Sequence, residues 1–273
     1  MTLDAASSAN LTLQATAAGA STATVLAVAP PAHAGHRTLL VLEPGGGERV
    51  HGTLGTPALD TSALAAARGA LADPRHEDGL VTLADGAEAF LEVRRPVPDL
   101  VIVGAGHIAL PTARMGAELG FRVWVIDDRP DFATRERFPT AHRVVRADFS
   151  DPFAEVPLHG GSHVLLVTRG HKYDYDCLVK VLRGPARPAY IGMIGSRRRV
   201  RATFLQLLDD GIAKERLADI HAPVGLDIGA ETPEEIAVAV AAELVKVRRG
   251  GTGASLRDLE HVAGRYFPGE DGA

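Results

Sequence analysis

The chain has 273 residues and a single cysteine, Cys177. No internal disulfide can therefore form, and a structural zinc site built from cysteines is excluded. The cytoplasm is the compartment that this cysteine usage suits. No uninterrupted apolar run approaches the roughly 18 residues of a membrane span, so no membrane association is expected. Basic residues are not gathered into one block and the formal net charge is −5, which argues against nucleic acid as a partner. Met1 to Ala20 is rich in Ala, Ser and Thr but lacks the positive n-region and long apolar core of a secretory signal. No Tyr-x-x-x-Lys pair and no G-x-S-x-G elbow occurs, so no catalytic residue is assigned. His107, His163, His171 and His221 lack the close helical pairing of a metal site, and no metal ligand is assigned either.

What is present is apolar content, 46% of the residues, enough for one large or two modest cores. Residues 1–96 read as a small α+β domain with antiparallel strands. Strands are expected at 24–29, 37–42 and 48–52 around the turn Pro44-Gly45-Gly46-Gly47, a helix over 59–72, and a hairpin of 79–83 with 87–93 across Ala84-Asp85-Gly86. Arg95-Pro96-Val97-Pro98 reads as the linker. Over 97–249 strands alternate with helices, which predicts an α/β, Rossmann-like, doubly wound parallel sheet. Its strands are expected at 100–103, 122–126, 143–145, 163–167 and 189–192, and its helices near 108–119, 131–137, 174–183, 196–210 and 232–248. Residues 250–273 read as a polar tail.

The most informative segment is Leu100-Val101-Ile102-Val103 running into Gly104-Ala105-Gly106-His107-Ile108-Ala109. Gly104 permits a tight turn off the strand, Gly106 lets backbone N–H groups approach a phosphate, and Ala109 stands where helix and strand pack closely. An anion would sit at the N-terminus of the helix, favoured by free N–H groups and the macrodipole. About 20 residues on, Asp127 ends the next strand, where an acidic side chain reaches a ribose hydroxyl, with Asp128 and Arg129 behind it. Such a pair of carboxylates suits NAD and repels a 2′-phosphate.

Two further strand ends repeat the pattern. Thr168-Arg169-Gly170-His171 follows the strand ending at Val167, at the edge where ligands of open α/β sheets bind; His171 could contact a phosphate or remain a half-buried loop residue. Gly195-Ser196-Arg197-Arg198-Arg199 offers a helix cap in Ser196 and guanidinium donors, of which at most one or two can face the crevice; Arg197 is the candidate anion contact. Thr232, Pro233 and Glu235 form a capping box, while Asp227, flanked by apolar residues and glycines, reads as a buried ligand contact or a structural hydrogen-bond partner.

The glycine loop, Val125-Ile126-Asp127-Asp128-Arg129-Pro130, Thr168-Arg169-Gly170-His171, Gly192-Met193-Ile194-Gly195-Ser196-Arg197-Arg198 and Gly225-Leu226-Asp227-Ile228-Gly229-Ala230-Glu231-Thr232-Pro233-Glu234-Glu235 together resemble the XdhC/CoxI family of xanthine dehydrogenase accessory proteins. The resemblance implies a non-enzymatic chaperone of the molybdenum cofactor. Such a protein binds molybdopterin, supports its sulfuration with a cysteine desulfurase, and delivers it to a xanthine dehydrogenase-type apoenzyme. Members usually carry Gly-Gly-Cys where this chain reads Gly52-Thr53-Leu54-Gly55-Thr56-Pro57-Ala58-Leu59, without the cysteine. If that thiol contacts molybdenum or sulfur in relatives, this chain either holds its ligand through phosphate and pterin contacts alone or has a changed role. The residues by themselves leave open an NAD(P)-dependent oxidoreductase and a nucleotide-sensing Rossmann protein, and a homodimer is compatible with all three.

Overall fold

The computed structural model describes residues 3–44 and 46–257, organised around two sheets. Gly45 of the Pro44–Gly47 turn and residues 258–273 of the polar tail lie outside the described residues. The first sheet is formed by β1 (Ser21–Ala29), β2 (Arg37–Leu42), β3 (Glu48–Thr53), β4 (Gly79–Thr82) and β5 (Glu88–Arg94), all antiparallel, in the order β3-β2-β1-β5-β4. Alternation along the strands turns Ala23, Val25, Leu40 and Leu91 to one face, where they bury Leu59, Ala63 and Ala67 of α2 (Pro57–Ala72). Thr56 starts that helix by accepting from the Leu59 N–H, with Pro57 at its first position.

The other face carries a helix that the periodicity does not mark, α1 (Ala5–Ala17). Its Ser, Thr and Ala residues leave little apolar stripe, and only Leu11 and Ala15 reach Leu39 and Val41 of β2. Asp4 caps it through the Ser7 N–H at 2.8 Å.

The second sheet is parallel throughout. It contains β6 (Asp99–Val103), β7 (Arg122–Asp127), β8 (Arg143–Arg146), β9 (Ser162–Leu166), β10 (Tyr190–Met193) and β11 (Ile220–His221), in the order β11-β10-β9-β6-β7-β8. This is the expected doubly wound arrangement. Both faces are covered, so the strands are apolar on both sides: Leu100 and Ile102 pack towards α3 (Ala109–Glu118) and α7 (Pro233–Arg249), while Val101 and Val103 pack towards α4 (His171–Arg183) and α5 (Arg197–Asp209). Cys177 of α4 is buried in the latter core, where desolvation raises its thiol pKa. The capping box of α7 forms through Thr232 and Glu235, and Gly250 closes the helix in a left-handed conformation.

Two local readings differ from the structure, and two short elements are not foreseen by the sequence. Residues 131–137 form turns, not a helix: Pro130 and Pro139 leave too short a run to repay nucleation, and the Arg129 and Arg137 guanidiniums clamp the Phe132 ring at 3.6 and 4.6 Å instead. Helix α4 starts at His171 and not at 174. The short α6 (Lys214–Ala218) and β11 have too few residues to show a period. No helix among the described residues is long and apolar enough to cross a membrane.

From β6 the chain winds outward through β7 and β8, then returns to the other side of β6 for β9, β10 and β11. The connections that leave the carboxyl ends of β6 and β9 therefore run to opposite sides and leave a crevice above them, the place where open α/β sheets hold ligands.

Candidate functional site

Gly104 leaves β6 with φ +109°, and a Cβ there would stand 2.6 Å from the carbonyl oxygen of Val167 after β9. The glycine is required by backbone packing, which draws the two loops of the crevice together. Gly106 differs: nothing lies within 4 Å of where its Cβ would be. Among the described residues, no protein acceptor takes the backbone N–H of Gly106 or His107. These donors stand ahead of α3, where the helix dipole reinforces their pull on an anion.

Asp127 is buried at the end of β7 and its carboxylate is fully engaged. Oδ2 accepts from the Ala105 N–H at 2.7 Å and from Arg129 Nη2 at 2.9 Å; Oδ1 accepts from the Arg129 N–H at 3.0 Å and Nε at 2.8 Å. Burial alone would raise its pKa, but the Arg129 side chain and the two N–H groups outweigh it and hold the pKa at about 2. Asp127 thus locks the glycine loop to the β7 end, and a ribose could reach the carboxylate only by displacing Arg129. Asp128 is likewise taken, by Arg169 from the β9 loop at 2.6 and 2.7 Å, with the Arg169 guanidinium 4.2 Å from the Tyr173 ring centroid.

Beneath the β9 loop lies a network that sequence reasoning did not find. Asp174 is completely buried; its Oδ1 accepts from Thr168 Oγ1 at 2.6 Å and its Oδ2 from Arg199 Nε at 2.7 Å. Arg199 Nη2 also donates to the Thr168 carbonyl at 3.1 Å. Burial pushes the Asp174 carboxyl up, against the pull of Thr168 and Arg199, and leaves its pKa raised. Arg199 is the inward arginine of the run: Ser196 caps α5 by accepting from the Arg199 N–H at 3.3 Å, while Arg197 and Arg198 face solvent.

These parts enclose one cleft of about 620 Å³ at the carboxyl edge. Of the expected residues, Gly106, His107, Ile108, Arg129, Thr168, Arg169 and Gly195 line it; Arg199, from the run whose expected contact is Arg197, and Phe132, Val167, Ile194 and Ile236, which spacing does not single out as site residues, complete the wall. Gly104, Ala105 and Asp127 are buried and support the loop, and Asp128 meets the cleft through Arg169. Gly170, His171, Ser196, Arg197 and Asp227 are not in its lining. Gly170 is the N-cap residue of α4 and His171 its exposed first residue. Asp227 is exposed, not buried: the Gly225 and Leu226 N–H groups tether the loop to Glu243 and to the Ala239 carbonyl, leaving Asp227 in solvent.

At the amino edge, Asp99 is buried and receives Arg122, Trp124 Nε1 and His159. Burial opposes its ionisation, but these donors hold its carboxyl well below the usual range. Glu243 joins Tyr190 Oη at 3.0 Å, His221 Nδ1 at 2.7 Å and the Gly225 N–H at 2.6 Å. Both clusters bind elements together and lie away from the cleft. Among the described residues, no group of three or more His, Cys, Asp or Glu side chains is placed to hold a metal ion.

Comparison with known proteins agrees with this architecture. Over 179 residues the chain is 34% identical to the YqeB protein of Escherichia coli K12, covering 65% of this chain and 32% of that one. It is 34% identical over 160 residues to a Bacillus subtilis protein described as a probable subunit of xanthine dehydrogenase, covering 59% and 46%. The matched region therefore spans less than half the length of either relative. A crystal structure described as a xanthine dehydrogenase from Bacillus halodurans superposes with a TM-score of 0.61 at 23% identity, covering 93% of this chain and 68% of that one, a likeness of fold. The sequence profile of the XdhC Rossmann domain matches residues 100–244, more than half of the chain, which therefore belongs to the XdhC family.

Proposed function

We propose that this protein is a molybdenum-cofactor-binding accessory protein of a xanthine dehydrogenase-type molybdenum hydroxylase. In this reading it takes up molybdopterin as cargo, supports its sulfuration with a cysteine desulfurase, and passes it to the apoenzyme. The observation that carries the reading is the pair of free N–H donors at Gly106 and His107, opening on a cleft whose wall includes Arg129, Arg169 and Arg199. Molybdopterin bears a phosphate, which fits a Cβ-free loop at a helix N-terminus among guanidiniums. Its flat pterin suits the apolar remainder of the lining, Phe132, Ile194 and Ile236.

The chain's part in the handover is binding and release. Each of the three arginines already has an acidic partner, Asp127, Asp128 or Asp174, so the field at the phosphate is moderated. Moderate affinity is what a carrier needs, because the receiving enzyme must win the cargo. An NAD-dependent oxidoreductase is disfavoured by the saturation of Asp127, whose lone pairs are occupied where a ribose hydroxyl would donate.

Mass spectrometry of the small molecule that copurifies from a molybdopterin-producing host tests the reading. A pterin is expected in the wild type and its loss in Gly106→Val; NAD in place of a pterin would overturn the proposal.

A further inference from the structure

A second concavity opens at the opposite, amino edge of the parallel sheet, between the two sheets' units. It has a volume of about 520 Å³. His163 at the start of β9 lines it, whereas Thr168, beyond the end of the same strand, lines the carboxyl-edge cleft. Its walls are Leu42 and four prolines, and its polar side is cationic, with Arg95, Arg248 and Arg249 all contributing.

The pairing of these cations is unusual. Among the described residues no carboxylate lies within ion-pair distance of any of the three, and the acid in the lining, Glu43, is already bound to Arg49. Arg95 is spent on the carbonyls of Ala70, Leu71 and Asp73 at the end of α2. Arg248 donates to one neutral acceptor, the Leu119 carbonyl at 3.2 Å, and rests 4.8 Å from the Phe121 ring centroid. Its Nε is buried and finds no acceptor among the described residues. Burial first, and the adjacent Arg249 second, disfavour its charge. A half-buried guanidinium beside a second like charge, with no counter-ion, is an arrangement that an anion relieves. Clefts between structural units with apolar walls and a few polar groups are common ligand sites.

We propose that this amino-edge crevice is a second binding site, for a small aromatic anion, with Arg248 and Arg249 holding its phosphate or carboxylate and the proline wall its ring. The site is independent of the cargo reading above, because it shares no lining residue with the carboxyl-edge cleft.

The test is equilibrium dialysis of full-length protein in a Gly106→Val background, which crowds the glycine loop of the other cleft, with 1-naphthyl phosphate as probe and neutral 1-naphthol as control. The phosphate is expected to bind at least about tenfold tighter than the naphthol, and Arg248→Gln to weaken it about tenfold. Arg249→Gln, at an exposed position that leaves the fold intact, should weaken it about threefold and carries the test if Arg248→Gln fails to fold. Equal binding of the two probes, unchanged affinity in Arg249→Gln, or no binding would each overturn the proposal.

Discussion

The backbone of Gly104 meets the carbonyl of Val167 so closely that a single added carbon would come within 2.6 Å of the oxygen. Two strands that are neighbours in the sheet, β6 and β9, thus stay in contact beyond their last paired residues. Gly104→Ala should cost about 2–4 kcal/mol, through this clash and the positive φ. Gly106→Ala, facing open space, should leave the denaturant midpoint nearly unchanged. Urea unfolding of the two variants side by side tests the distinction, and equal destabilisation would refute it.

Arg199→Ala leaves Asp174 buried without its cation and should destabilise by about 3 kcal/mol. Asp174→Asn in the same chain should recover part of that loss, because the uncompensated charge is gone. Denaturant unfolding of both single variants and the double variant reads the coupling; strict additivity would show that the two groups act independently.

The Asp128–Arg169 pair bridges the β7 and β9 loops, but both side chains are about one-third exposed, at 29% and 35%. Asp128→Asn should therefore cost no more than about 1 kcal/mol, and less in high salt. A larger loss, insensitive to salt, would show that the bridge does more than its exposure permits.

Burial lowers the His163 pKa to about 4, from an ordinary value near 6.5. Between those values the unfolded chain binds a proton that the folded chain does not. His163 therefore contributes full stability above about pH 6.5 and progressively less as the pH falls towards 4, with a slope of at most about 1.4 kcal/mol per unit. Below about pH 4 the depressed carboxyls of Asp127 and Asp99 add a further loss. His163→Phe keeps an aromatic ring beside Phe121 and Tyr190 and should flatten the profile between pH 6.5 and 4.5 in urea titrations. An unchanged slope would reassign the acid sensitivity to other groups.

The fold and the glycine loop were legible because their determinants are local. Gly104, Gly106 and Asp127 announce themselves by spacing within one βαβ unit, and two-faced burial writes continuous apolar runs into β6 and β7. The identity of the inward arginine was not. Arg197, Arg198 and Arg199 are chemically alike, and the choice falls to Arg199 because its acceptor, Asp174, lies on a different helix, 25 positions earlier in the chain. Asp127 could be seen as an acid at a strand end, but its capture by Arg129, two residues on, is a side-chain conformation that spacing does not reveal. The apolar neighbours of Asp227 suggested burial, whereas backbone tethers to α7 decide its exposure. Helix α1 lacks the stripe that would have shown it.

Helix α7 has a geometric consequence for the whole molecule. Its 17 residues extend about 25 Å, and its first turn places Ile236 in one cleft while its last places Arg248 in the other. Arg75 from the antiparallel-sheet unit grips the carbonyls of Arg249 and Gly250 at its far end. The helix is therefore a rigid strut spanning both openings and anchored at one end to the smaller unit. Because its two ends border different openings, any displacement of the smaller unit at Arg75 would bear directly on the one helix common to both.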